Sequence, residues 1–206
     1  MRKTPRQQRA RLLVESIIDA ATRVIAEQGL EAATTARIAA RAGVSVGSLY
    51  QYFEHKEAVW DAVLARIAHD LSAVVQRHAE RFEDGDLGAF VRALLSDVWA
   101  LLEADGGRYL QVTRYWAQLD FPAVINPLER QLHNVLLLHI GRRATGPALP
   151  DLPARLYILV NSTLFTMVRH VSDPAPMVSK EQLVRTLADI ATASLESPAA
   201  RSPSTR

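Results

Sequence analysis

Residues 34–63 read TTARIAARAGVSVGSLYQYFEHKEAVWDAV, and the spacing inside this stretch decides the fold. Ile38, Ala39 and Ala42 lie on one apolar face at helical spacing, and Thr35 is the expected N-cap ahead of them. Gly43 stands where that helix must stop, because glycine enters the left-handed region without a Cβ penalty. Ser45 is placed to cap a second short helix whose inward face carries Leu49 and Phe53, four residues apart. The opposite face holds Val46, Gly47, Tyr50 and Gln51, all small, polar or flat. A helix enclosed in a core has no use for such a face, whereas a helix laid in a DNA major groove requires one. A long third helix opens at Lys56, so the stretch reads as a helix-turn-helix.

Sequence readout needs short side chains or bare backbone near base edges, with phosphate anchors on either side to fix register. Val46 can meet a thymine methyl, Ser48 can donate or accept, and Gln51 can reach base edges. Gly47 lets the backbone approach closely, while Tyr50 and Tyr52 carry hydroxyls suited to phosphates and Lys56 adds a cation. Taken one at a time, the two tyrosines could instead be packing residues and the lysine a solubilising one, though each of these is the weaker reading. Their joint spacing favours DNA.

The same residues resemble the N-terminal domain of the TetR-type one-component transcriptional regulators. The likeness runs through Gly29, the Thr34–Thr35 pair, Ile38-Ala39, Ala42-Gly43-Val44-Ser45, Gly47, Leu49-Tyr50, Phe53 and Lys56. It covers the first quarter to third of the chain; the remainder is similar to the family in length and helical layout only. One departure is Tyr52, where many members carry histidine, and both side chains can hydrogen-bond a phosphate. The resemblance implies DNA contacts at Thr35, Ser45, Val46, Gly47, Ser48, Tyr50, Tyr52 and Lys56, to which charge and face add Arg37 and Gln51. It further implies a homodimer on a near-palindromic double-stranded operator, acting most often as a repressor and released by a small molecule.

With 206 residues and 49% apolar content, the chain can bury a substantial core. It has no cysteine, which excludes disulfides, thiol redox sensing and cysteine-based metal sites. Its six histidines form no H-x-x-x-H pair, and no nucleophile elbow, Walker loop or glycine-rich dinucleotide motif occurs. The expectation is a non-enzyme with neither metal nor cofactor. No apolar run is long enough to cross a bilayer, and the basic N-terminus MRKTPRQQRAR lacks the apolar segment of a signal peptide. A cytoplasmic protein is expected. Charge is unevenly placed: residues 1–56 carry nine Lys/Arg against five Asp/Glu, leaving 57–206 slightly acidic. From charge alone, the basic arm 1–11 is as easily a frayed terminus as a phosphate-neutralising one; beside a helix-turn-helix the second reading gains.

Helical periodicity dominates throughout, which predicts an all-α chain of about nine helices. These are 7–28, the two helices of the quoted stretch, 56–82, 87–104, 108–119, 123–143, 154–172 and 180–196. Glycines at 106 and 107 separate the fifth helix from the sixth, and Ser179 with Gln182 forms a capping-box pattern before the last. The expected organisation is a DNA-binding domain at 1–56, an effector-binding and dimerisation domain at 57–197, and a disordered tail at 198–206.

In the larger part, bulky aromatics and a few polar groups suit a pocket for a small apolar or aromatic effector. Candidate lining residues are Leu95, Trp99, Tyr109, Thr113, Trp116, His133, Leu136, Asn161 and Phe165. For any single one of them, ordinary core packing explains the pattern as well. The last two helices offer apolar positions for a four-helix dimer interface, namely Leu156, Val160, Leu164, Leu183, Leu187 and Ile190. The alternative keeps DNA binding but places control with a protein partner, or with no effector at all.

Overall fold

The computed structural model describes residues 5–81, 86–143 and 149–195. Every regular element among them is a helix: α1 (Pro5–Gln28), α2 (Thr35–Ala42), α3 (Val46–Tyr50), α4 (Lys56–Arg81), α5 (Leu87–Thr113), α6 (Pro122–Arg143), α7 (Leu152–Ser172) and α8 (Lys180–Leu195). Residues 1–4 of the basic arm, 145–148 of the loop before α7, and the tail from 198 lie outside the described residues. The all-α expectation holds, with eight helices in place of nine.

The difference is one of counting, because α5 holds the two expected helices on either side of four non-helical residues, 104–107. Ala104 is extended (φ −58°, ψ 155°), and Asp105, Gly106 and Gly107 are all left-handed, with φ of 52°, 76° and 72°. The glycine pair therefore does mark the break. Asp105, which carries a Cβ, adopts the same conformation at a cost of about 1–2 kcal/mol. Helix resumes at Arg108 but stops at Thr113, short of the expected Leu119. Successive turns follow, with Tyr115 N bonded to Val112 O (3.0 Å) and Gln118 N to Tyr115 O (2.8 Å). Pro122 disfavours helical geometry in the residue before it and opens α6 instead.

Packing divides the chain into two compact units: Met1–His69 with Leu102–Val124, and Asp70–Leu101 with Ile125–Arg206. The chain past the α5 break falls in the first of these units, together with α1. In the first unit Ile17, Ala21 and Ile25 of α1, Ile38 and Ala39 of α2, Leu49 of α3, and Val59, Val63 and Ile67 of α4 are all buried. The spacing of four residues gives α1 and α4 one inward stripe each, and each larger side chain so enclosed stabilises by about 1.5–3 kcal/mol. The one buried hydroxyl on α1, that of Thr22, donates to Ile18 O at 2.8 Å, so its burial leaves no unmet polar group.

In the second unit, α7 packs against α8, and Leu156, Leu159 and Val160 are buried along with Leu183, Val184, Leu187 and Ala188. The capping box at the start of α8 forms in full: Gln182 N donates to Ser179 Oγ (3.2 Å) and Ser179 N to Gln182 Oε1 (2.9 Å). Among the described residues, no helix is long and apolar enough to cross a membrane.

Candidate nucleic-acid interface

The α2–turn–α3 segment is set by three local devices. Thr34, not Thr35, is the N-cap of α2; its hydroxyl accepts from Arg37 N at 3.3 Å. Thr35 is thereby the first helical residue, and its own hydroxyl lies 3.3 Å from that of Tyr50. At the other end Gly43 is left-handed (φ 69°, ψ 30°), and Val44 N closes onto Ala39 O at 3.0 Å. Ser45 then caps α3, accepting from Ser48 N at 3.0 Å, with the two serine hydroxyl oxygens 2.8 Å apart.

These devices orient a helix of only five residues. Leu49 is fully buried and Phe53, just past the helix, is nearly so, which anchors α3 against the core. Val46, Tyr50 and Tyr52 are 38%, 50% and 41% exposed, and Gly47 and Gln51 are exposed beside them. Large side chains are thus held in solvent around one short helix. Lys56 opens α4 at the edge of this surface, its Nζ 4.9 Å from the Trp60 ring centroid and 3.8 Å from Glu57 Oε1. His55, to which the sequence assigned nothing, caps α4 by accepting from Ala58 N through Nδ1 at 3.1 Å. Arg37 bends back, its guanidinium donating to Ala32 O at 3.2 Å. Behind the surface, Arg41 of α2 grips Glu27 of α1 with both terminal nitrogens, at 2.9 and 2.7 Å.

The residues expected to line an effector pocket fall in both compact units. Leu95, Trp99, His133, Leu136, Asn161 and Phe165 belong to the second; Tyr109, Thr113 and Trp116 belong to the first. Leu95, Trp99 and Leu136 are buried. Asn161 Nδ2 donates to Glu129 Oε1 (2.8 Å), and His133 Nδ1 donates to the carbonyl of the same Glu129 (2.9 Å). Glu129 was missed in the sequence, although its place four residues before His133 on a helix was legible. Trp99 meets His170 edge-on, with ring centroids 5.2 Å apart. Thr113 is buried with its hydroxyl donating to Tyr109 O at 2.8 Å, as in ordinary core packing. Phe165 departs from the expectation: it is 60% exposed, on the open side of α7.

The expected dimer residues also divide. Leu156, Val160, Leu183 and Leu187 are buried within the single chain and Leu164 is half-buried, which leaves Ile190 alone of the six exposed. Those leucines are spent on packing within the chain. The apolar surface left open on these helices is instead Tyr157, Ile158 and Phe165 of α7 with Ile190 of α8. Among the described residues no group of three or more His, Asp or Glu is placed to hold a metal ion.

Residues 17–63 match the family model for bacterial regulatory proteins of the tetR family. The HTH-type transcriptional regulator BetI of Burkholderia ambifaria is 30% identical over 146 residues, covering 68% of this chain and 71% of that protein. The regulator BetI 2 of Chromohalobacter salexigens is 30% identical over 115 residues, and the match spans 56% of its length. SmeT, the repressor of the Stenotrophomonas maltophilia multidrug efflux pump SmeDEF, has a similar fold. It superposes with a TM-score of 0.71 over 93% of this chain and 94% of that one, at 19% identity.

Proposed function

The chain belongs to the TetR family of bacterial regulatory proteins, and from that premise we propose that it is a homodimeric repressor that leaves its operator when a small apolar or aromatic molecule binds. The observation that carries the DNA-binding part is the two-faced α3: Leu49 is fully buried, while Val46, Gly47, Tyr50 and Gln51 stand exposed on a helix capped at Ser45. In this reading residues 1–56 read DNA. Val46, Gly47, Ser48 and Gln51 face base edges, with Thr35, Ser45, Tyr50, Tyr52 and Lys56 on phosphates. Arg37 would join them by releasing Ala32 O, an exchange an exposed arginine makes readily.

One such unit makes few contacts, so two are needed, about 34 Å apart on successive turns of a near-palindromic site. The open apolar residues Tyr157, Ile158, Phe165 and Ile190 are the surface we assign to that pairing. Residues 57–197 would carry it together with the effector site. For the effector, Trp99 and Leu136 supply apolar wall, and the His133–Glu129–Asn161 cluster supplies polar groups that fix orientation. Release is a population shift: moving the dimer from 99% competent to 1% requires the effector to prefer the other state by about 5.5 kcal/mol.

The test is to incubate the purified protein with fragmented genomic DNA of its source and sequence what it retains. Enrichment of one palindromic site beside a promoter is expected. Diffuse, salt-sensitive retention without a shared site would overturn the operator reading.

A further inference from the structure

The left-handed run in α5 is tied down by charge. Arg108, the first residue after it, places Nη2 2.7 Å from Asp105 Oδ2 and Nη1 2.9 Å from Asp19 Oδ1 on α1. Asp19 in turn holds Arg23 Nε at 2.9 Å through its other oxygen, so four alternating charges run from the α5 break onto α1. The Arg108 side chain is 21% exposed, against 45% for Arg23 and 38% for Arg41 in the neighbouring pairs. A more enclosed arginine divided between two carboxylates is less screened than a lone surface pair.

The same stretch meets α1 a second time. Gly29, where α1 ends, has φ of 92°, and the Tyr115 hydroxyl lies 3.0 Å from where a Cβ there would stand. Residues 108–115 thus engage α1 at Asp19 and again just past its end. On its other side α1 packs against α2 and is linked to it by Glu27–Arg41. Any shift of the post-break segment therefore bears on α1, and through α1 on the helices that present Thr35 and Tyr50.

We infer that Arg108 is a positioning residue for DNA reading: it joins the α5 break to α1 through Asp19, and so sets how α1 holds α2 and α3. Gly106 and Gly107 make the break a joint, and Arg108 is its pin. This gives α5 a route to the helix-turn-helix independent of the continuous α4. The inference rests on the operator reading above for its consequence, but not for its geometry.

Two measurements on the full-length protein test it. The first is amide hydrogen exchange without DNA, comparing wild type, Arg108→Met and Asp19→Asn. Both variants should exchange roughly tenfold faster in α1 and in residues 108–115, with α8 unchanged. Unaltered exchange in α1 would overturn the pin, whatever DNA binding does. The second is a double-mutant cycle of these substitutions on affinity for the site recovered from genomic DNA. Each single variant should bind roughly tenfold more weakly, and the double variant no worse than either. Asp97→Asn, which removes a carboxylate paired with His78 in the other unit, should leave affinity unchanged and controls for general loosening. Additive losses, or Arg108→Met binding within twofold of wild type, would overturn the positioning role. A wild type that recovers no site would sink the operator reading, while the exchange result would still decide the pin.

Discussion

Oγ1 of Thr35 and the hydroxyl of Tyr50 stand 3.3 Å apart, joining the first turn of α2 to the last residue of α3. The two hydroxyls are drawn to one spot at the rim of the exposed face, where a phosphate oxygen could take a bond from each. Tyr50→Phe keeps the ring and removes one donor. Operator affinity should fall roughly ten- to a hundredfold, as for one lost hydrogen bond to a charged group, with oligomeric state unaltered. Fluorescence anisotropy against a labelled operator measures it, and unchanged affinity would remove Tyr50 from the phosphate contacts.

Gly43 is left-handed at φ 69°, and a Cβ there would meet nothing within 4 Å. Gly43→Ala therefore isolates backbone strain from steric clash. Stability should drop by about 1 kcal/mol, seen as a lower denaturant midpoint at unchanged slope. No loss would mean that the turn relaxes without cost.

The open and the buried apolar residues of α7 and α8 should answer differently to charge. Ile158→Glu or Phe165→Glu should yield a folded monomer by sedimentation, with helix content retained. Leu187→Glu buries a carboxylate among apolar neighbours and should unfold the chain. Variants at 158 and 165 that remain dimeric would move the interface elsewhere.

Glu181 sits in the first turn of α8, where a bond from its own backbone N–H and one from the Ser179 hydroxyl hold its carboxyl below the ordinary glutamate range. A depressed folded value means the stabilisation is present above the ordinary carboxylate range and is lost as pH falls through the lowered one. Glu181→Gln should flatten the acid limb of the stability profile without changing stability at its foot. An NMR titration of Glu181 at the ordinary value would contradict this.

What the sequence disclosed was local. Helix caps and stops depend on residues three or four apart, so the capping box at Ser179 and Gln182, the Gly43 stop and the Ser45 cap could be read directly. The α2 cap was displaced by one residue because Thr34 and Thr35 are chemically equivalent candidates. The break at Gly106-Gly107 was legible, but not the left-handed Asp105, since nothing nearby in sequence shows Arg108 reaching Asp19, 89 residues back along the chain. The same limit divided the dimer residues. Helical period shows that α7 is apolar over much of its circumference, yet which stripe meets α8 is a matter of packing. Leu156 and Val160 proved to be inside, while Tyr157 and Ile158 remained open.

The shortness of α3 has an evolutionary consequence. Within the five-residue helix only Leu49 is buried, with Phe53 just past its end, while Val46 and Gly47 face outward. In the proposed reading, durability and target preference are thus inscribed on different letters of the same small word. If positions 46, 47 and 51 read the operator as proposed, a descendant could change its target there while the buried position 49 is kept.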